Sequence, residues 1–268
     1  MYKAMDLSPG LGFIPLVWAI VTIIGVLFCY FYSVIVGDVY PLVPSISNTG
    51  TKRPEGDIFA ETMNVSSFVC LVIMYIRYYQ VRYRVRSSYE NAERVNLVSL
   101  IVGVATVFGI TLVANFPSSE ETTTSTVHDI GAVLTFIAAL CYCATQTFTT
   151  WKLYCFNIDD RLSWIYRLTI TCIMMTAGSL FLLFSLFAYE EFEDSHPTHT
   201  ILQWDQKDGG YNLHVFSNVS EWIGVTCFLL FLVSYFNEFQ EINIVTNCIP
   251  KSSNCIESVE LEKLQESS

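Results

Sequence analysis

The chain has 268 residues, of which 52% are apolar and only 15% charged, and its mean hydropathy is positive. A soluble domain of this size carries about 25% charged residues, so composition argues against a soluble globular fold. The formal net charge of −11 does not call for a basic partner, because much of the acid sits at 190–208 and in the C-terminal tail. No basic stripe of the kind that binds nucleic acid is present.

No Asp, Glu, Lys or Arg occurs between Asp6 and Asp38, Arg94 and Glu120, Asp129 and Lys152, or Arg167 and Glu190. Each gap reaches the roughly 20 residues that cross a hydrocarbon core of about 30 Å. Two further stretches are equally apolar apart from one or two charges near an end. The pattern predicts an all-α, polytopic six-helix membrane bundle with spans at about 11–36, 59–80, 95–115, 128–150, 165–189 and 214–236. Together, 1–243 form one membrane domain, and 244–268 form a flexible acidic tail with at most a brief helix around 256–264. No internal repeat of the transporter kind is visible.

The first apolar run is too long for a signal-peptide core and lacks a small-residue cleavage site, so it is expected to stay as an uncleaved helix. The loop that follows carries Pro41, Pro44 and Pro54 around Asn48-Thr49-Gly50. Proline fixes φ and Asn-Thr-Gly supplies turn chemistry, so the loop is compact. Two readings stay open: a structured cap over the bundle, or a recognition surface formed by Pro44, Asn48, Thr49, Gly50, Pro54 and Glu55.

The second span holds Glu61 and Asn64, then ends in a run of aromatic and basic residues. Tyr75, Arg77, Tyr78, Arg82 and Arg84 there suit an interfacial belt contacting phospholipid head groups. In the third span, Ala105 and Gly109 have small-xxx-small spacing, and the span closes on Asn115. The fourth opens with His128 and Asp129. The sixth places His214, Asn218 and Glu221 on one face at i, i+4 and i+7.

Lys52, Arg53 and Lys207 are the three basic residues assigned to one side; the other eleven of the fourteen fall on the opposite side. By the positive-inside rule that side is cytosolic, and so are both termini. Six of the nine cysteines lie within spans, while Cys155, Cys248 and Cys255 fall on the cytosolic side, where palmitoylation is an alternative to free thiols. The sequons at Asn64 and Asn218 fall within spans and are not read as glycan sites.

Asn64, Asn115, His128, Asp129, His214, Asn218 and Glu221 all lie toward the non-cytosolic side. Ionisable groups inside a span turn inward and find partners. Such a cluster fits an interhelical hydrogen-bond network, a luminal pH sensor or, least well, a metal-assisted hydrolase, because no HExxH-type spacing occurs. No cofactor or resident metal is expected.

Several of these segments together resemble the DRAM family of damage-regulated autophagy modulators. They are PSISNTGTKRPE at 44–55, MNVSSFVCLVIMYIRYYQV at 63–81, LVANF at 112–116, HDIGAVLTF at 128–136, QWDQKDGGYNLHVFSNVSEW at 203–222 and SYFNEFQEI at 234–242. The resemblance covers about 12–242. It implies six spans, cytosolic ends and a non-enzymatic role in autophagy and lysosomal function, with no catalytic residues to carry over. More distant relatives act in lipid handling, which is the alternative function. The expected location is the lysosomal or endosomal membrane, with Golgi or plasma membrane as the alternative. Expected partners are the lipid bilayer and its phospholipid head groups. The chain departs from the family pattern at Asn48, where Asp is usual, at Glu61, an added charge, and at Gly56-Asp57, which lack a frequent cysteine. The tail also has no acidic-dileucine sorting signal, and Tyr78–Val81, a Tyr-x-x-Val sequence, lies close to the membrane.

Overall fold

The computed structural model of the protein describes residues 10–85, 90–118, 122–195 and 201–242. Its helices are α1 (Phe13–Val36), α2 (Glu55–Val85), α3 (Glu90–Asn115), α4 (Thr122–Cys155), α5 (Arg161–Asp194), α6 (Tyr211–Val233) and the short α7 (Phe236–Gln240). Single 3-10 turns lie at Ser47–Gly50 and Ile201–Gln203. α1 to α6 are long and apolar enough to cross a membrane, in agreement with the six predicted spans. α2 to α5 overrun the predicted limits, most at α4, which runs from Thr122 to Cys155, whereas α1 starts and α6 ends inside them. A helix satisfies its own backbone and need not stop at the hydrocarbon edge. The predicted helix at 256–264, Cys248 and Cys255 lie outside the described residues.

Local chemistry sets several of these ends. α1 stops at Gly37, whose φ of 83° and N–H bonds to the Ser33 and Val34 carbonyls make a left-handed cap. α5 starts at Asp160, whose carboxylate accepts the Ser163 N–H at 2.7 Å. α6 starts after Gly210, where φ is 70° and a Cβ would come within 2.4 Å of the Ala188 carbonyl oxygen. Both constraints require glycine there.

Neighbours in sequence are neighbours in space, with α3 against α4 and α5 against α6 the most extensive pairings, and α6 also reaches α1. Gly109 of α3 and Gly131 of α4 mark a backbone-to-backbone approach, since a Cβ on Gly109 would lie 2.9 Å from the Gly131 oxygen. Gly109 of the third span therefore serves a contact inside the chain. Trp18, Ile73, Met74, Tyr142, Phe231 and Leu232 belong to the main core. Outward-facing Ile24, Ile35 and Leu186 are 62%, 82% and 70% exposed, an apolar exterior suited to lipid rather than water.

The two ends of the bundle are called the loop face, where 37–54 lies, and the basic face, where α2 joins α3.

Candidate functional site

At the loop face the first loop folds back onto α6. Tyr30 donates its hydroxyl to the Pro41 carbonyl at 2.8 Å, and Thr49 closes the 3-10 turn by donating to the Ile46 carbonyl at 2.7 Å. The exposed backbone polar groups of such a loop need partners beside a bilayer, and α6 supplies them. Asn218 Nδ2 donates to the Val43 carbonyl at 2.9 Å, Trp222 Nε1 donates to the Pro44 carbonyl at 2.9 Å, and the Glu221 carboxylate accepts the Ile46 N–H at 3.3 Å. Asn218 Nδ2 also lies 3.1 Å from His214 Nε2. The His214 ring stacks on Trp204 at 4.2 Å and 18°. The helical spacing read from the sequence thus makes a ladder along α6 whose rungs are loop backbone groups.

Beside this ladder Lys52 Nζ meets Asp38 Oδ1 at 2.8 Å. That hydrogen bond holds the Asp38 carboxyl below its ordinary value of 3.8, against the opposing effect of partial burial.

The seven polar residues expected to cluster do not form one site. Asn64 and Asn115 exchange side-chain amide bonds at 3.1 and 3.0 Å between α2 and α3. His128 Nδ1 lies 2.8 Å from the Phe116 carbonyl oxygen, while Asp129 is exposed. Shared depth in a membrane does not bring side chains together when they belong to helices that face different neighbours. Among the described residues, no three His, Cys, Asp or Glu side chains converge in a way that could hold a metal.

The first-loop residues also turn inward: Pro44, Thr49, Gly50 and Glu55 are buried, Asn48 is half-buried, and Pro54 is exposed. A Cβ on Gly50 would meet the Phe59 ring at 2.3 Å, which shows how closely the turn sits on α2. The cap reading describes this geometry better than a recognition surface.

The interfacial belt divides in the same way. Tyr75 and Tyr79 are exposed and 4.8 Å apart between ring centroids, and Tyr78 is half-buried. Arg77 leaves the belt altogether, being fully buried. Arg82 pairs with Glu93 at 3.2 Å. Arg84 pairs with Asp159 at 2.8 Å and with Glu241 at 2.9 Å. The cationic groups proposed for phospholipid contact are thus partly occupied within the chain.

Sequence reasoning missed a buried charge network near the basic face. Arg77 and Arg167, both fully buried, donate to the same Glu238 oxygen at 3.3 and 2.5 Å. Arg77 also donates to Gln146 at 3.2 Å, Gln80 at 2.8 Å and Thr150 at 3.3 Å. Arg167 donates to Thr150 at 2.8 Å, the Ser234 hydroxyl at 2.9 Å and the Ser234 carbonyl at 3.2 Å. The Tyr235 ring lies 4.8 and 4.6 Å from the two guanidinium groups. Gln146 passes the network to Asn96 at 3.2 Å, and Asn96 donates to the Tyr78 carbonyl at 2.8 Å. Thus α2, α3, α4, α5 and the α6–α7 junction meet in one polar node. The available signal is that Arg77 and Arg167 stand within or at the edge of apolar spans; by sequence, Arg77 falls in the interfacial belt and both count only among the eleven basic residues of one side. Nearby, burial pushes the Asp159 carboxyl above its ordinary range, with Arg77 and Arg84 opposing that rise.

The sequence segments behind the family resemblance meet in pairs. Residues 44–55 lie on 203–222 at the loop face through Pro44–Trp222 and Ile46–Glu221. Residues 63–81 meet 234–242 through Arg77–Glu238 and Gln80–Glu238. Residues 112–116 meet 128–136 through Leu112–Gly131 and Phe116–His128.

Comparison with known proteins agrees with this pattern. The profile of the Frag1/DRAM/Sfk1/Cwh43P N-terminal domain matches residues 10–242. The chain is 31% identical over 235 residues to DNA damage-regulated autophagy modulator protein 2 of Bos taurus, covering 88% of this chain and 86% of the relative. It is 29% identical over 236 residues to DNA damage-regulated autophagy modulator protein 1 of Homo sapiens, covering 88% and 93%. A shorter likeness, 32% over 108 residues and 40% of this chain, links it to the modulator of macroautophagy TMEM150B of Danio rerio, of which it covers 43%. No solved structure matches. The chain belongs to the Frag1/DRAM/Sfk1/Cwh43P family.

Proposed function

We propose that this protein is a non-enzymatic multi-pass membrane regulator of autophagy, acting at the lysosomal or endosomal membrane with its basic face toward the cytosol. The observation that carries the reading is the likeness, over 88% of the chain, to proteins named as DNA damage-regulated autophagy modulators. The polar groups support a non-catalytic role by what they already do. His214, Asn218 and Glu221 hold the first loop or one another, and Arg77, Arg167 and Glu238 hold helix ends. The excess of basic residues near one end supports the orientation.

The test is autophagic turnover in starved cells depleted of the protein, read as cargo accumulation with and without a lysosomal inhibitor. Turnover should fall and recover on re-expression; unchanged turnover refutes the reading. Imaging a C-terminally tagged protein against organelle markers, with selective permeabilisation, tests both membrane and orientation.

A further inference from the structure

A cleft of about 790 Å³ opens between α1 and α2, on the outside of the bundle. Its volume falls within the 300–1,000 Å³ typical of small-ligand sites. Val17, Val21, Ile58 and Val65 make its wall apolar, while Asp57 and Glu61, one turn apart on α2, place two carboxylates at its loop-face end. Among the described residues, no Lys or Arg lines it.

The depth of Glu61 gives the carboxylate its meaning. Arg77, in the polar node, lies sixteen residues further along α2, about 24 Å away by helix rise. Phe13, at the other end of the cleft, packs on Phe236 at 5.5 Å, beside that same node. The cleft therefore runs through most of a hydrocarbon core of about 30 Å, with Glu61 near its loop-face edge. Glu61 is exposed, and no hydrogen bond or ion pair reaches it among the described residues. Asp57 has a 3.3 Å bridge to Arg53, with both side chains well exposed, an arrangement that binds weakly. An uncompensated carboxylate at that depth is costly and calls for a cation.

We propose that the cleft holds a long-chain amine drawn from the bilayer, its alkyl chain along α1 and α2 and its protonated amino group against Glu61 and Asp57. Charge complementarity selects the head group. A phosphate-bearing lipid would set its anion beside two carboxylates with no cation among the described residues of the cleft to receive it. A fatty acid would do the same. A long-chain amine places its one positive charge where the protein places its negative charges, and its chain needs only apolar walls. The inference is independent of the autophagy reading.

The experiment uses the purified full-length protein in phosphatidylcholine nanodiscs containing a photoactivatable, alkyne-tagged sphingoid base. Labelled peptides should map to α1 and α2, and unlabelled long-chain amine should compete at least as well as expected from shared chemistry, while a fatty acid of equal length does not. Glu61→Gln should reduce labelling about tenfold, the loss of one charge-assisted hydrogen bond. Val65→Trp should block labelling by filling the cleft with the charges intact. Both side chains are exposed, so both variants should keep the thermal unfolding midpoint of the parent. Equal competition by acid and amine, labelling unchanged in Glu61→Gln, or α1–α2 cross-links to a second copy in place of lipid labelling would each overturn the proposal.

Discussion

Replacing Glu238 by Gln tests whether the buried charge network holds the basic face together. The carboxylate serves two guanidinium groups through one oxygen, Arg77 at 3.3 Å and Arg167 at 2.5 Å, and both arginines are completely buried. The amide keeps an acceptor in place but removes the charge that touches both. Removing one partner of a buried ion pair costs about 3–5 kcal/mol, because the remaining charge stays out of water. The neighbouring Glu241→Gln is the internal control: its carboxylate is 73% exposed where it meets Arg84, and surface pairs contribute about 0–1 kcal/mol. At roughly 2 °C per kcal/mol for a chain of this size, Glu238→Gln should lower the unfolding midpoint by about 6–10 °C. Glu241→Gln should lower it by less than about 2 °C. The assay is thermal unfolding of detergent-purified protein at one fixed scan rate, followed by size-exclusion recovery. Adding Arg167→Met to Glu238→Gln should cost less than the sum of the two single changes, since the second change removes a stranded charge. Equal midpoints for Glu238→Gln and Glu241→Gln, or strict additivity in the double variant, would refute the reasoning.

Gly131→Leu should force α3 and α4 apart, since even a Cβ there would lie 2.6 Å from that of Leu112. Overpacking of this kind costs about 1–3 kcal/mol, read as a lower midpoint in the same thermal assay. Trp222→Phe keeps most of the ring packing on Tyr30 but loses the bond to the Pro44 carbonyl. Hydrogen exchange should then speed up in 41–50 while the basic face is unaffected. Asp38→Asn should loosen 37–54 at neutral pH by weakening the bond to Lys52. Because folding depresses the Asp38 pKa, its contribution is present above the ordinary value of 3.8 and is lost as pH falls through the lower folded value. Hydrogen exchange in the variant and parent should therefore differ at pH 7 and converge in acid below that folded value. A difference that persists unchanged there would contradict the assignment.

The spans were legible because a bilayer imposes a one-dimensional rule: about 20 residues without uncompensated charge. Contacts between spans obey no such rule. Ile46 and Glu221 meet across 175 positions, and the groups that Asn218 and Trp222 seek are backbone carbonyls, which leave no mark in a side-chain pattern. The face formed by His214, Asn218 and Glu221 could be read from the helical period, but what covers it could not. Arg77 shows the opposite failure. Tyr75, Tyr79 and Tyr83 recur every fourth residue and are 51%, 48% and 84% exposed, so they do form an outward stripe. Arg77 stands two positions from Tyr75 and Tyr79, on the other side of the helix. Adjacency in sequence suggested a belt, whereas the helical period separates the arginine from it.

α6 connects the two polar regions. Half of its most apolar stretch is buried, against 17% for α5, so it is the inner helix of the bundle. Its loop-face end carries Asn218, Glu221 and Trp222, and the junction following its other end carries Ser234, Tyr235 and Glu238. Glu221 and Glu238 are seventeen residues apart, about 25 Å by helix rise. In a bilayer, apolar packing between helices does not gain from leaving water, so small residues and polar bonds settle which helices associate and in what register. An inner helix with apolar sides could slide or rotate against Leu, Ile and Phe neighbours at little cost. Bonds to loop carbonyls at one end and to two arginines at the other stop both motions. The first loop acts here as one half of a two-ended clamp on α6, and the buried charge network is the other half.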